Sequence, residues 1–87
     1  MARRLTGAAL IARVVRNIRA ELSESYGLPM DKYETDSTWS DSIGSDMRPI
    51  LAVKFMHRDT GATIEVTGIY PDDQGEILWR SGAVEMR

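Results

Sequence analysis

The stretch RPILAVKFMHRDTGATIEVTGIY, residues 48–70, decides the fold of this chain. In both halves, successive side chains fall on alternate faces with a period of two, which is typical of β-strands. Leu51, Val53 and Phe55 fall on one face of the first half, and the residues between them fall on the other. The RDTG that joins the halves has turn composition, and Gly61 can adopt a positive φ. This stretch therefore predicts a β-hairpin.

Strand signals continue on both sides of this hairpin. Downstream, PDDQG predicts a second turn, EILWR begins another strand, and SGAVEMR extends that strand past a break near Gly82. Upstream, YETDSTW alternates with a period of two, so Tyr33 and Trp39 are expected to share a face, opposite a very polar one. The following DSIGSDM, residues 41–47, is predicted to be a turn or loop.

The N-terminal part predicts one helix over residues 6–26. Thr6 is the expected N-cap, and Gly27, Leu28 and Pro29 form a stop signal at the other end. The apolar residues recur at helical spacing and predict one buried stripe. That stripe consists of Ala8, Ile11, Val15, Ile18, Leu22 and Tyr26.

These elements predict a single α+β domain over residues 1–87, in which one N-terminal helix packs on a three- to four-stranded antiparallel sheet in the order α-β-β-β-β. The 87 residues are 43% hydrophobic and 28% charged, which is typical of a globular chain. The absence of cysteine excludes disulfides, thiolate nucleophiles and cysteine-based zinc sites. No apolar run approaches the roughly 18–20 residues of a membrane span, and a cytoplasmic location is expected.

Charge is distributed unevenly along the chain. Residues 1–20 carry five arginines and no acid, whereas residues 21–46 carry seven acids and Lys32 alone as a base. None of Arg13, Arg16 and Arg19 has a carboxylate three or four residues further along the helix. These arginines are therefore expected to face either the acidic segment of the same chain or a binding partner.

The acidic stretch DSTWSDSIGSD, residues 36–46, is the second candidate surface. Its aspartates recur every five residues, which does not match the ligand spacing of a calcium loop, so no metal site is expected. An indole among Ser, Thr and Asp either anchors the segment on the core or contacts a partner. The segment is an ordinary strand end with its loop, a protein-recognition loop or a DNA-like acidic surface, and its short length and the mildly acidic chain disfavour the last of these. A protein-recognition loop is the candidate binding surface. Its contact residues would then be Asp36, Trp39, Asp41 and Asp46.

Catalytic chemistry is not expected from the remaining residues. His57 stands at a hairpin end without a nucleophile motif, and Asp72, Asp73 and Glu76 lie in or beside a predicted turn. The glycines are scattered singly and form no phosphate-binding loop. The sequence predicts a protein that is not an enzyme and has no cofactor.

The resulting expectation is a small protein-binding regulator or inhibitor of a larger macromolecular complex, of the kind that phages and mobile elements use against host machinery. A homodimer is also expected, because Ile50, Ala52 and Met56 leave an apolar patch on the second sheet face. Trp79 is either a core or an interface residue. The alternative function is a nucleic-acid-binding regulator that uses the arginine-rich helix, although the pI of about 5.3 disfavours it.

Overall fold

The computed structural model describes residues 7–43, 49–82 and 84–87, with residues 41–43 described by their backbone alone. Its secondary structure consists of helix α1 (Gly7–Tyr26), a short 3-10 helix (Met30–Lys32) and strands β1 (Tyr33–Ile43), β2 (Pro49–His57), β3 (Thr63–Pro71), β4 (Ile77–Arg80) and β5 (Val84–Met86). The strands form an antiparallel sheet in the order β1-β2-β3-β4, and β5 also pairs with β3. The predicted α+β fold is confirmed.

The hydrophobic core lies between α1 and one face of β2 and β3. Leu51, Val53 and Phe55 of β2 are buried there, as the alternation predicted. From β3, the core receives Ile64, Val66 and Ile69. Burying these branched and aromatic side chains removes apolar surface from water, which stabilises the fold by about 25 cal/mol for each Å² buried. The predicted hairpin is therefore the centre of the fold.

Helix α1 ends where the stop signal predicted, but its buried stripe differs from the prediction. Gly27 has a φ of 66°, and the N–H of Leu28 donates to the carbonyl of Leu22 at 3.2 Å. The fully buried helix residues are Val14, Ile18 and Leu22. Ile11, by contrast, is 36% exposed, and Tyr26 is exposed as well. Ala8 is also exposed, so the predicted stripe is wrong at Ala8, Ile11 and Tyr26, whereas Val15 is half-buried and packs against the core.

Strand β1 departs from the prediction at two places. Thr35 pairs with Phe55 and Ser37 pairs with Lys54, which leaves Asp36 without a partner on β2. This irregularity shifts the alternation by one residue. Tyr33 therefore lies on the side of the sheet that faces α1, and Trp39 lies on the opposite side, contrary to the prediction.

The loop predicted for residues 41–47 is the second departure. Residues 41–43 continue β1, because Ser42 pairs with Ile50 and Ile43 pairs with Pro49. The rest of that predicted loop lies outside the described residues. Polar composition indicated a loop, but the ladder with β2 satisfies the backbone groups and keeps the segment extended.

Strands β4 and β5 run one after the other along β3, with a break between them that confirms the one predicted near Gly82. The break lies opposite a bulge in β3, where Gly68 has a φ of 64°. Ser81 N–H donates to the Gly68 carbonyl at 3.0 Å. A Cβ on Gly68 would lie 2.5 Å from the backbone nitrogen of Gly82, so only glycine permits this close approach.

Polar contacts fix α1 across the sheet. Asn17 Nδ2 donates to the Gly75 carbonyl at 2.8 Å. Closer to the C-terminal end of the helix, Glu21 forms a salt bridge with Arg80 of β4, and Arg80 also donates to the Tyr26 hydroxyl at 3.2 Å. Partial burial alone would lower the pKa of Arg80. The hydrogen bond with Tyr26 and the negative charge of Glu21 outweigh this effect, so the pKa is raised above its ordinary value. In the described part of the chain, no helix is long and apolar enough to cross a membrane.

Candidate protein-binding site

One face of the sheet is covered by α1, and the opposite face, called here the outer face, carries aromatic side chains. Because side chains alternate along a strand, the neighbours of the buried core residues point to the outer face. Trp39 of β1 lies directly opposite Ala52 of β2, and Tyr70 of β3 lies opposite Trp79 of β4. Together with Met56 of β2, these residues define the outer face.

The two tryptophans of the outer face are exposed, and Tyr70 is half-buried. Trp39 is 37% exposed and Trp79 is 45% exposed. The rings of Tyr70 and Trp79 stack at a centroid distance of 4.9 Å and an interplanar angle of 21°. Such stacking holds both rings in a fixed orientation, which lowers the entropy cost of a contact. Both tryptophans are therefore surface residues of the sheet.

The apolar patch predicted on this face is smaller than the sequence suggested. Met56 is 37% exposed and Ile50 is half-buried. Ala52, by contrast, is only 1% exposed. The accessible apolar surface is therefore carried mainly by the aromatic residues.

Strand β1 forms one edge of the sheet. It pairs with β2 along one side, and no other strand of the described residues pairs with its second side. Every residue from Glu34 to Ser40 is exposed. Asp36 and Asp41 occupy the two positions of β1 that have no partner on β2. Residues 36–43 of the acidic segment, which include Trp39, thus belong to an edge strand and not to a loop.

The three helix arginines do not play the same part. Arg13 and Arg16 are exposed, although the aliphatic stem of Arg13 packs against Gly75. Arg19 is half-buried and donates to the carbonyl of Met30 at 2.9 Å. Its guanidinium also lies 5.0 Å from the centroid of the Phe55 ring. Arg19 therefore has structural contacts that the sequence did not predict.

The acidic segment does not neutralise these arginines through ion pairs in the described part of the chain. Arg19 does reach β1, but its Nη2 donates to the neutral hydroxyl of Thr35 at 3.3 Å. Within residues 7–40, no salt bridge joins the helix arginines to Asp31, Glu34 or Asp36. Of the predicted contact residues, the side chain of Asp41 is not described and Asp46 lies outside the described residues. The structure thus brings Asp36 and Trp39 together on β1, away from Arg13 and Arg16 on α1.

Tyr70 is the residue of this surface that the sequence reading missed. Its signal lies in IYPDDQGEILW, where the turn places Tyr70 and Trp79 in adjacent strands. The turn itself is held by Asp72, whose Oδ1 accepts from the N–H groups of Gln74 at 2.8 Å and Glu76 at 3.0 Å. The side chain of Asp72 therefore holds the backbone of the turn that the sequence predicted.

His57 also has a local role at its hairpin end. Its Nδ1 accepts from the backbone N–H groups of Asp59 at 3.1 Å and Thr60 at 3.3 Å. The imidazole packs edge-on against Tyr33 at a centroid distance of 5.0 Å. These contacts hold His57 at the end of the hairpin, as predicted from its position.

An apolar cleft of about 430 Å³ lies between the first half of α1 and strands β1 and β2. Its walls include Leu10, Ile11 and Val14 from the helix and Leu51 and Val53 from β2. The exposure of Ile11 is explained by this cleft.

Comparison with known proteins identified no relative: no protein-family model matches the chain, and neither the search of curated proteins nor the search of solved structures found a match.

Proposed function

We propose that this protein is a small non-enzymatic binding protein that regulates or inhibits a larger protein complex. The observation that supports this proposal is the outer face, where Trp39 and Trp79 are exposed and the half-buried Tyr70 stacks on Trp79. Tryptophan and tyrosine are enriched among the residues that dominate binding at protein interfaces. We further propose that the protein is cytoplasmic and is an accessory protein that acts against host machinery, as the sequence analysis suggested.

The proposal requires a protein that is captured through the outer face. The tagged protein, its Trp39→Ala and Trp79→Ala variants, and a Leu78→Ala control are used as bait in a bacterial lysate treated with nuclease. Leu78 is a suitable control because it is 56% exposed and lies on β4 beside Trp79. A stoichiometric protein should be retained by the wild type and the control and lost with either tryptophan variant.

Circular dichroism of each variant before the capture experiment ensures that only folded baits are compared. Capture of no protein, or equal capture by all four baits, would contradict the proposal. Size-exclusion chromatography with light scattering on the same proteins tests the predicted homodimer. A dimer through the outer face should dissociate in the tryptophan variants and persist in Leu78→Ala.

The nucleic-acid alternative has less support from the structure. Arg19 is engaged in intramolecular contacts, which leaves Arg13 and Arg16 as the exposed arginines of α1. Backbone binding to nucleic acid normally uses several such contacts and weakens steeply with salt. Capture of material from an untreated lysate that is lost when the lysate is treated with nuclease would favour this alternative over protein binding.

A further inference from the structure

We propose that the free edge of β1 binds an extended, basic segment of a partner protein, which adds to the sheet as a further antiparallel or parallel strand. This inference rests on the proposed function, because it names the chemistry of the partner and part of its binding site. It goes beyond that function because it assigns the main contact to backbone groups of β1 and to the charge beside them.

The length and exposure of β1 support strand addition. Strand β1 spans 11 residues, more than any other strand of the described sheet. On its second side, the backbone N–H and C=O groups have no strand partner among the described residues. An edge of this kind is a template for pairing, and extended peptides are commonly recognised in this way.

The side chains of β1 give a second reason. Glu34 to Ser40 are exposed on both faces, including Thr35 and Thr38, which pair with core residues of β2. The strand therefore gains little from burial, and it is held mainly by its ladder with β2. A strand added on the other side would complete the hydrogen bonding of β1.

Charge determines which segment fits. Tyr33–Ile43 contains Glu34, Asp36 and Asp41 and no basic residue. Pairing with β1 of a second copy would bring two strands of this composition together, and like charges on paired strands are destabilising. A segment with lysine or arginine would instead gain from the same carboxylates.

The structure also indicates which part of β1 the segment would use. Lys32 precedes the strand, and the Arg19 guanidinium reaches Thr35 from the helix side. The part that begins at Asp36 lies beyond Lys32 and the Arg19 contact, has Lys54 of β2 opposite Ser37, and carries Trp39 on the outer face. An arginine or apolar side chain of the added strand would contact this indole from beside β1.

The test uses a synthetic peptide of about nine residues in which lysine alternates with valine, the length needed to cover the strand from Asp36 to Ile43. One control peptide replaces lysine with glutamate. A second keeps the lysines but carries N-methyl groups on alternate residues, which removes the N–H donors of one edge and leaves the charge unchanged. Binding is measured by NMR titration of the ¹⁵N-labelled protein together with amide hydrogen exchange.

The lysine peptide should shift the β1 amide resonances and slow the exchange of β1 amides. The glutamate peptide should not bind, and N-methylation should weaken binding at least about tenfold, since several backbone hydrogen bonds are lost. Asp36→Lys should also weaken binding by about tenfold, because it reverses a charge beside the added strand. Glu24→Lys makes the same change in net charge on the exposed side of α1 and should change the affinity less than about twofold.

Absence of binding at millimolar peptide, equal binding of the N-methylated or glutamate peptide, or shifts confined to α1 would each overturn the inference. The lysate experiment separates this failure from failure of the proposed function. A captured protein that is lost with Trp79→Ala but retained by Asp36→Lys would leave the proposed function intact and refute strand addition. A protein lost with both variants would support both.

Discussion

Gly75 shows how one residue joins the helix to the sheet. Its φ is 81°, and its carbonyl accepts the hydrogen bond from Asn17. A Cβ at this position would lie 2.5 Å from Cγ and 2.7 Å from Cβ of Arg13. Both the backbone conformation and the space beside α1 therefore require glycine.

We predict that Gly75→Ala lowers the free energy of unfolding by about 2–4 kcal/mol, because it combines positive-φ strain with overlap against the Arg13 stem. Gly61→Ala is the matched control, since Gly61 has a φ of 75° and a Cβ added there would meet no atom of a non-neighbouring residue within 4 Å. The control should cost about 1 kcal/mol from strain alone. Urea denaturation followed by circular dichroism measures both, and equal losses would show that the Arg13 contact is unimportant.

Arg19 is the other residue whose role depends on tertiary contacts. We predict that Arg19→Met, which keeps most of the aliphatic stem, lowers the free energy of unfolding by about 2 kcal/mol through loss of its charged hydrogen bonds and the contact with Phe55. Arg16→Met should change it by less than about 0.5 kcal/mol, because Arg16 is exposed.

Chemical denaturation of the two variants side by side measures this difference. If Arg19→Met is as stable as Arg16→Met, the contacts of Arg19 do not contribute to folding. An experiment that tests α1 as a binding surface should therefore reverse the charge of Arg13 and Arg16 alone. Changing Arg19 as well would affect stability and binding together.

At the scale of elements, α1 is rotated relative to the stripe that its sequence suggested. Ile18 and Leu22 belong to both the predicted and the observed stripe, so the prediction was correct at these two positions. In the first half, Val14 is buried, whereas Ile11 faces the cleft beside β2. Helical spacing allows either Val14 or Ile11 to face the core, and packing against β2 and β3 places Val14 there.

This orientation predicts unequal costs for two truncations on the same helix. Val14→Ala should lower the free energy of unfolding by about 2 kcal/mol, because it removes buried methyl groups and leaves a cavity. Ile11→Ala removes more atoms but should cost less than about 1 kcal/mol, because its side chain is 36% exposed. Thermal and urea unfolding measure both variants, and a larger loss for Ile11→Ala would place the helix in the predicted orientation instead.

At the scale of the whole molecule, α1 covers one face of the sheet, whereas the outer face and the long edge strand β1 are covered by no other element of the described residues. Helix α1 covers the side that carries Phe55 and Ile64, while the outer face and β1 remain accessible in the described structure. The acids of β1 then have a second effect, because charged residues on an edge strand oppose pairing between copies of the same chain.

We therefore predict that neutralising this edge with Glu34→Gln, Asp36→Asn and Asp41→Asn together increases self-association. A control with Glu24→Gln, Asp31→Asn and Asp59→Asn makes the same change in net charge at exposed sites outside the strands. Sedimentation velocity over a range of concentrations should show larger species for the edge variant than for the wild type or the control. Equal behaviour of the two variants would attribute any association to net charge alone.

The sequence by itself determined the element order, the β2–β3 hairpin, the face of β2 that is buried, the stop of α1 at Gly27 and the break near Gly82. These features follow from local rules, since alternation, turn composition and glycine at a positive φ act within a few residues of the chain. Tertiary structure decided the rotation of α1, the extension of β1 to Ile43 and the change of face at Asp36. Each of these depends on pairing or packing with a segment distant in the sequence, and so do the separation of Trp39 from Tyr33 and the internal role of Arg19.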